Sequence, residues 1–234
     1  SVGVEPTIRL CGVGKNLREH PMVELTLALR RQAQAPSIRI PPHDCGLRFT
    51  SERGGTNDIA MYAANLSATT AAGGIGVAVV QPFSRGSISI QSADPKLHPS
   101  IDFNLLSDRR DLERLRDAAR AAFRIARHRA FNAICEEVSA PGLSPAILDD
   151  DQALESWLKA NCEEFFHAMG TCKMGAANDP DAVVDPECRV IGAEGLRVVD
   201  ASVIPIPPRA AIHLTTVMIA EAVSDRLRYS GRRE

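Results

Sequence analysis

Aromatic side chains are scarce, 4% of 234 residues, with Trp157 the single tryptophan. So few rings leave no stacking platform for single-stranded nucleic acid. Nor is there an excess of positive charge: 27 basic side chains face 29 acidic ones, a formal net charge of -2. That balance gives no electrostatic footprint for a polyanion, so nucleic acid is not expected as a partner. No apolar run reaches the roughly 18–20 residues that cross a bilayer, which excludes a transmembrane helix. The six cysteines (Cys11, Cys45, Cys135, Cys162, Cys172 and Cys188) are scattered and form no CxxC pair. They point to reduced thiols and a cytoplasmic setting, not to a disulfide framework. The opening residues Ser1-Val2-Gly3-Val4-Glu5-Pro6 carry no methionine, basic region or apolar stretch. They do not read as a signal peptide, and the chain reads as beginning inside a longer one.

What is present suits a globular protein. With 44% hydrophobic and 24% charged residues, the chain is large enough for one sizeable core or two smaller ones. The first half reads as short strands: Met22–Leu29, Cys45–Thr50, Asp58–Leu66 and Ile75–Gln81, with Gly73-Gly74 as a loop signal. Ser87–Ser92 alternates strictly, and Arg85-Gly86 reads as the hairpin turn joining it to the preceding strand. An antiparallel sheet with one wet face follows. From Asp108 the period changes. Leu112, Leu115, Ala119, Ala122, Phe123 and Ala126 recur at helical spacing to about Arg129, with arginines on what reads as a solvated face. A second helix is expected over Asp150–Cys162, burying Leu154, Trp157 and Leu158. A third is expected over Thr215–Arg228, with Val217, Ala220, Val223 and Leu227 inward. A short strand, Leu196–Val199, lies between the last two helices.

Three stretches could carry chemistry. Gly12-Val13-Gly14-Lys15-Asn16-Leu17-Arg18-Glu19-His20-Pro21 has glycines two apart but no third, and locally reads as a turn. Phe166-His167-Ala168-Met169-Gly170-Thr171-Cys172 sets an imidazole just after a helix. Histidine exchanges protons near neutral pH, although on local grounds a core histidine hydrogen-bonded to backbone is the favoured reading. Cys162, His167 and Cys172 lack zinc spacing. In the third stretch, a strand ends in Asp200-Ala201-Ser202, and Ile212-His213-Leu214-Thr215 runs into a helix whose first amides suit an anion or an electron-rich ring edge, or equally into a plain helix entry capped by Thr215 with His213 on the surface. Ser84 lacks the first glycine of a nucleophile elbow, so a hydrolase is not supported.

Taken together these residues resemble the glucose–methanol–choline (GMC) family of flavoprotein oxidoreductases. The resemblance rests on His167-x-x-Gly170-Thr171-Cys172-x-Met174-Gly175, on Val183-Val184-Asp185-Pro186, and on Gly195-Leu196-Arg197-Val198-Val199-Asp200-Ala201-Ser202. It continues through His213-Leu214-Thr215-Thr216. Gly12-Val13-Gly14-x-Asn16-Leu17-x-x-His20-Pro21 and Ser84-Arg85-Gly86 resemble two further motifs, so the likeness runs from about residue 8 to 228.

The resemblance implies an α+β chain: an antiparallel substrate-binding sheet flanked by helices, plus C-terminal pieces of an FAD-binding α/β domain whose N-terminal half is absent. It divides the chain into a linking segment, 1–20, a substrate-binding domain, 21–165, and a catalytic-histidine motif with the end of the FAD domain, 166–234. It implies oxidation of a small-molecule alcohol with FAD. His167 and His213 stand at the catalytic positions; Asp200, Ala201, His213, Leu214 and Thr215 line the cofactor; no metal is implied. A second histidine and Thr215 replace residues that differ in many relatives. No GxGxxG occurs in the sequence, so the chain alone is expected to be catalytically silent and to need its missing half as partner. A non-catalytic module of the same fold, or a lyase variant, are the alternatives.

Overall fold

The computed structural model describes residues 2–51, 53, 55–70 and 72–230. Positions 1 and 231–234, at the outer ends of the expected segments 1–20 and 166–234, lie outside the described residues. In chain order the elements are β1 (Met22–Leu29), β2 (His43–Phe49), β3 (Ile59–Asn65), α1 (Ser67–Thr70), β4 (Ala72–Val79), β5 (Ser87–Ser89) and β6 (Ser100–Asp102). There follow α2 (Arg109–Ala126), β7 (Cys135–Ser139), α3 (Pro145–Asp149), α4 (Asp151–Asn161) and α5 (His213–Ser230). They form two compact units, one of His20–Phe83 and Leu106–Phe165, the other of Ser1–Glu19, Ser84–Leu105 and Phe166–Glu234. The stretch 84–105 thus groups with the chain's two outer segments and not with the rest of 21–165.

The first unit is built on a five-stranded sheet in the order β2-β3-β4-β1-β7, antiparallel throughout. β1 shows why it is a strand: Val23, Leu25 and Leu27 are buried, while Glu24, Thr26 and Ala28 between them are exposed. β4 starts earlier than its sequence suggested. The Gly73-Gly74 pair lies inside the strand, opposite Leu27 and Thr26 of β1, and the room where side chains would stand is taken by Leu29 and Glu24. α2 lies over β4, β3 and β1 and buries all six apolar positions expected of it. α4 packs on α2 with Leu154, Trp157 and Leu158 inward, and the Trp157 indole donates to the Pro141 carbonyl at 2.8 Å. α3, which the sequence pattern did not announce, is one turn capped by Ser144 with Pro145 at its start.

The arginines of α2 are not simply a solvated face. Arg114 is 0% exposed. It donates to Asp58 at 3.1 Å, to the Gln81 carbonyl at 3.0 Å and to the Asp111 carboxylate. A charge this deep is tolerable only when paired. Burial pulls Asp58 upward, but hydrogen bonds from Ser51 and the Arg114 charge outweigh it, so its carboxyl sits below the usual range. Arg116 is 7% exposed and bridges to Asp151 and Glu155 at 2.9 and 2.8 Å.

In the second unit β5 pairs with β6 in a two-stranded sheet. The expected hairpin at Arg85-Gly86 is therefore absent. Gly86 instead exchanges two backbone bonds with Leu17, at 2.8 and 3.1 Å. A side chain there would stand 1.9 Å from the Asp102 carbonyl, so the glycine serves close approach and not a turn. The expected strand at 196–199 is reduced to a single bridge between Arg197 and Arg189. The last helix begins at His213, two residues before its predicted start. Of its predicted inward positions Val223 is buried, whereas Val217 and Leu227 are 43% and 50% exposed. The residues it turns inward are Ile219 and Val223, against Val183, Val184, Cys188 and Val203.

Candidate active site

The three stretches singled out in the sequence, the first of them as far as Glu19, meet in the second unit. Residues 167–174 run beside 200–203. Gly170 donates to the Ala201 carbonyl at 3.3 Å, Cys172 to that of Ser202 at 2.9 Å and Met174 to that of Val203 at 2.9 Å. Asp200 is exposed, and its Oδ1 accepts the Ser202 amide at 2.7 Å, closing the short helical turn over Ala201–Val203. Met169, Ile204 and Ile212 share one buried cluster rimmed by Ala201 and Ile219. A residue two after His167 and a residue one before His213 thereby pack on the same apolar centre.

The GVG-x-N-L stretch, locally read as a turn, runs along the other side of the histidine loop. Gly14 donates to the Thr171 carbonyl at 2.9 Å, and Arg18 and Met169 exchange backbone bonds at 2.9 and 3.0 Å. The Asn16 amide donates to the Gly170 carbonyl at 3.2 Å. Gly170 has φ +91, and a side chain on it would stand 2.5 Å from the Asn16 carbonyl. The Glu19 carboxylate accepts the His167 backbone amide at 2.7 Å. Neither Asn16 nor Glu19 was named as a site residue from sequence; the signal available was the motif they belong to.

His167 is half-buried, and burial lowers its pKa from the ordinary histidine value. The neutral imidazole, able to accept a proton, is thereby favoured near neutral pH. His213 is exposed and opens α5. The first intrahelical bond at this end runs from the Thr216 amide to the Ile212 carbonyl at 2.9 Å. The amides of His213, Leu214 and Thr215 therefore precede the helix ladder and point along its axis. No acidic side chain lies in that first turn to neutralise them. Among the described residues no group of three His, Cys, Asp or Glu side chains is placed to hold a metal ion. All six cysteines are free thiols, and among the described residues no helix is long and apolar enough to cross a membrane.

The GMC oxidoreductase family profile matches residues 82–220. A 5-(hydroxymethyl)furfural oxidase of Methylovorus sp. (strain MP688) is 36% identical over 230 residues, covering 92% of this chain and 43% of that protein. An oxygen-dependent choline dehydrogenase of Vibrio vulnificus (strain YJ016) is 41% identical over 145 residues, 62% of this chain and 25% of that protein. Among solved structures, pyridoxine 4-oxidase from Mesorbium loti superposes with a TM-score of 0.84 at 26% identity, covering 97% of this chain and 46% of the other. The chain thus spans less than half the length of each.

Proposed function

The chain belongs to the GMC oxidoreductase family, and from that premise we propose that it forms the C-terminal part of an FAD-dependent enzyme oxidising a small-molecule alcohol to a carbonyl. The observation that carries this reading is the half-buried His167, its pKa lowered by burial. It stands on a backbone clamp beside the Asp200–Val203 turn and the entry to α5. In this reading His167 takes the substrate hydroxyl proton at its imidazole nitrogen. His213 is the second hydrogen-bonding group and holds the substrate oxygen.

The residues present fit the cofactor. Three amides that precede the helix ladder at the start of α5, with no acidic side chain in its first turn, provide the positive end that an electron-rich ring edge requires. His213, Leu214 and Thr215 would hold FAD there, with Asp200 and Ala201 lining it. Bound FAD supplies the two-electron acceptor for the carbinol hydride. In this reading the sheet unit within 21–165 would serve as the substrate-binding domain, and 166–234 would help complete an FAD domain whose dinucleotide fingerprint this sequence lacks.

The test is made on the full-length flavoprotein, mixed anaerobically with choline or 5-(hydroxymethyl)furfural while flavin absorbance is followed. His167→Ala is expected to slow flavin reduction roughly 10²–10⁴-fold with FAD content unchanged. A variant that reduces its flavin at the parent rate sinks the reading and leaves the non-catalytic module.

A further inference from the structure

His167 does not hold its place by its own packing alone. The residue before it, Phe166, is a non-glycine with φ +57 and is 84% exposed. Such a conformation is unfavourable and persists only where its surroundings impose it. Phe166 offers little buried surface of its own to do so. The restraint comes from residues about 150 positions earlier in the sequence. Arg18 and Met169 exchange two backbone bonds, and Met169 is 1% exposed. Asn16, itself at φ +54, bonds the Gly170 carbonyl. Arg18 is 6% exposed, and its guanidinium donates to the Asn16 side chain and the Ser84 carbonyl, both at 3.3 Å. These contacts fix 169–170. At the histidine itself one contact is a side chain: Glu19 is 3% exposed, and its carboxylate accepts the His167 amide at 2.7 Å.

We propose that Glu19 is a positioning residue: its buried carboxylate pins the His167 backbone amide and so fixes where the imidazole stands. Charge-assisted bonds to a backbone amide are shorter and stiffer than neutral ones, and a displacement of one ångström at a reacting group can cost roughly 10²-fold in rate. The role rests on the proposed function, since it matters for rate only if His167 is the proton acceptor. It also explains what the GVG-x-N-L-x-E-H stretch does in the fold, which is to form the back wall of the histidine loop.

The experiment uses the full-length flavoprotein and a cycle of Glu19→Ala, Glu19→Gln, His167→Ala and Glu19→Ala/His167→Ala. Read out are the anaerobic flavin-reduction rate at saturating alcohol, KM and FAD content. Glu19→Ala is expected to lower the reduction rate 10- to 100-fold with KM changed less than threefold. Glu19→Gln, which keeps a neutral acceptor, is expected to fall between it and the parent. Because Glu19 acts through His167, the double variant should be no slower than His167→Ala alone. Additive losses, or a Glu19→Ala rate equal to the parent's, overturn the positioning role. Should Glu19→Ala fail to retain flavin, Glu19→Gln takes its place in the cycle. A three- to tenfold loss that vanishes in the His167→Ala background then supports the role, and an unchanged rate overturns it. If instead His167→Ala reduces its flavin normally, the reading of the active site fails, and that outcome differs from every one that condemns Glu19 alone.

Discussion

Arg114 brings a full positive charge to a place no water reaches, and Asp58 and Asp111 meet it there, each 0% exposed. Asp111 also accepts the Phe83 amide through both oxygens, at 3.0 and 2.9 Å. One guanidinium thus ties the start of β3, the end of the β4 segment and the first turns of α2 together. Replacing such a pair by apolar residues can be neutral, but removing one partner is not, because buried charge is left uncompensated. Arg114→Met is therefore expected to lower stability by about 3–5 kcal/mol, read from the urea midpoint of the purified protein. A loss below about 1 kcal/mol would show the carboxylates relaxing at little cost. Nothing in the sequence marked this arginine. At helical spacing it sits among five other arginines between Arg109 and Arg124, and what distinguishes it is Asp58, 56 positions away. Glu19 was illegible for the same reason: its partner amide is 148 positions distant.

At the scale of elements, legibility followed periodicity. β1 was bounded correctly at both ends because its alternation is clean. α2 and α4 were legible because their apolar stripes are narrow and each opens on an aspartate cap, Asp108 and Asp150. α5 was not, because Leu214, Val217, Met218, Ile219 and Val223 run round more than one side of the helix. With no single stripe, the packing partner chose the face. β5 failed differently: six residues alternate, but its partner β6 is three residues long, so the strand ends where the hydrogen bonds do. The cap of α2 gives a test. Asp108 accepts the Arg110 amide and pairs with its guanidinium; that hydrogen bond, working against burial, lowers its pKa to about 2. Since the folded value lies below the unfolded one, the stabilisation is complete above about pH 4 and is lost as pH falls toward 2. Asp108→Ala should cost about 1 kcal/mol at neutral pH, with the gap between variant and parent closing across that acid window. A gap that stays constant in acid would assign the loss to packing instead of the carboxylate.

For the molecule as a whole, one chain forms two units, each built from separate segments, and 84–105, which a reading along the sequence keeps with its neighbours, groups in the structure with both ends. The family is established by the profile and the relatives, yet the chain covers 43% of its furfural-oxidising relative. It contains no GxGxxG, so a cofactor's pyrophosphate finds no glycine-rich cradle within it. Purified alone, the 234-residue chain is expected to show no flavin absorbance band after incubation with FAD and desalting. A yellow protein would mean that α5 and the Asp200–Val203 turn bind the cofactor without a dinucleotide fold.

The sequence by itself determined the family, the strand-then-helix order and the capped helices. Each of these is written in local spacing: a period of two or 3.6, a cap ahead of a stripe, a motif of fixed length. Tertiary structure alone decided which arginine lies in the core, which face of α5 is covered, where Gly86 finds its partner and what holds His167 in place. Those outcomes depend on groups tens to more than a hundred residues apart, and their energies come from burial and close approach, which exist only once the chain has folded.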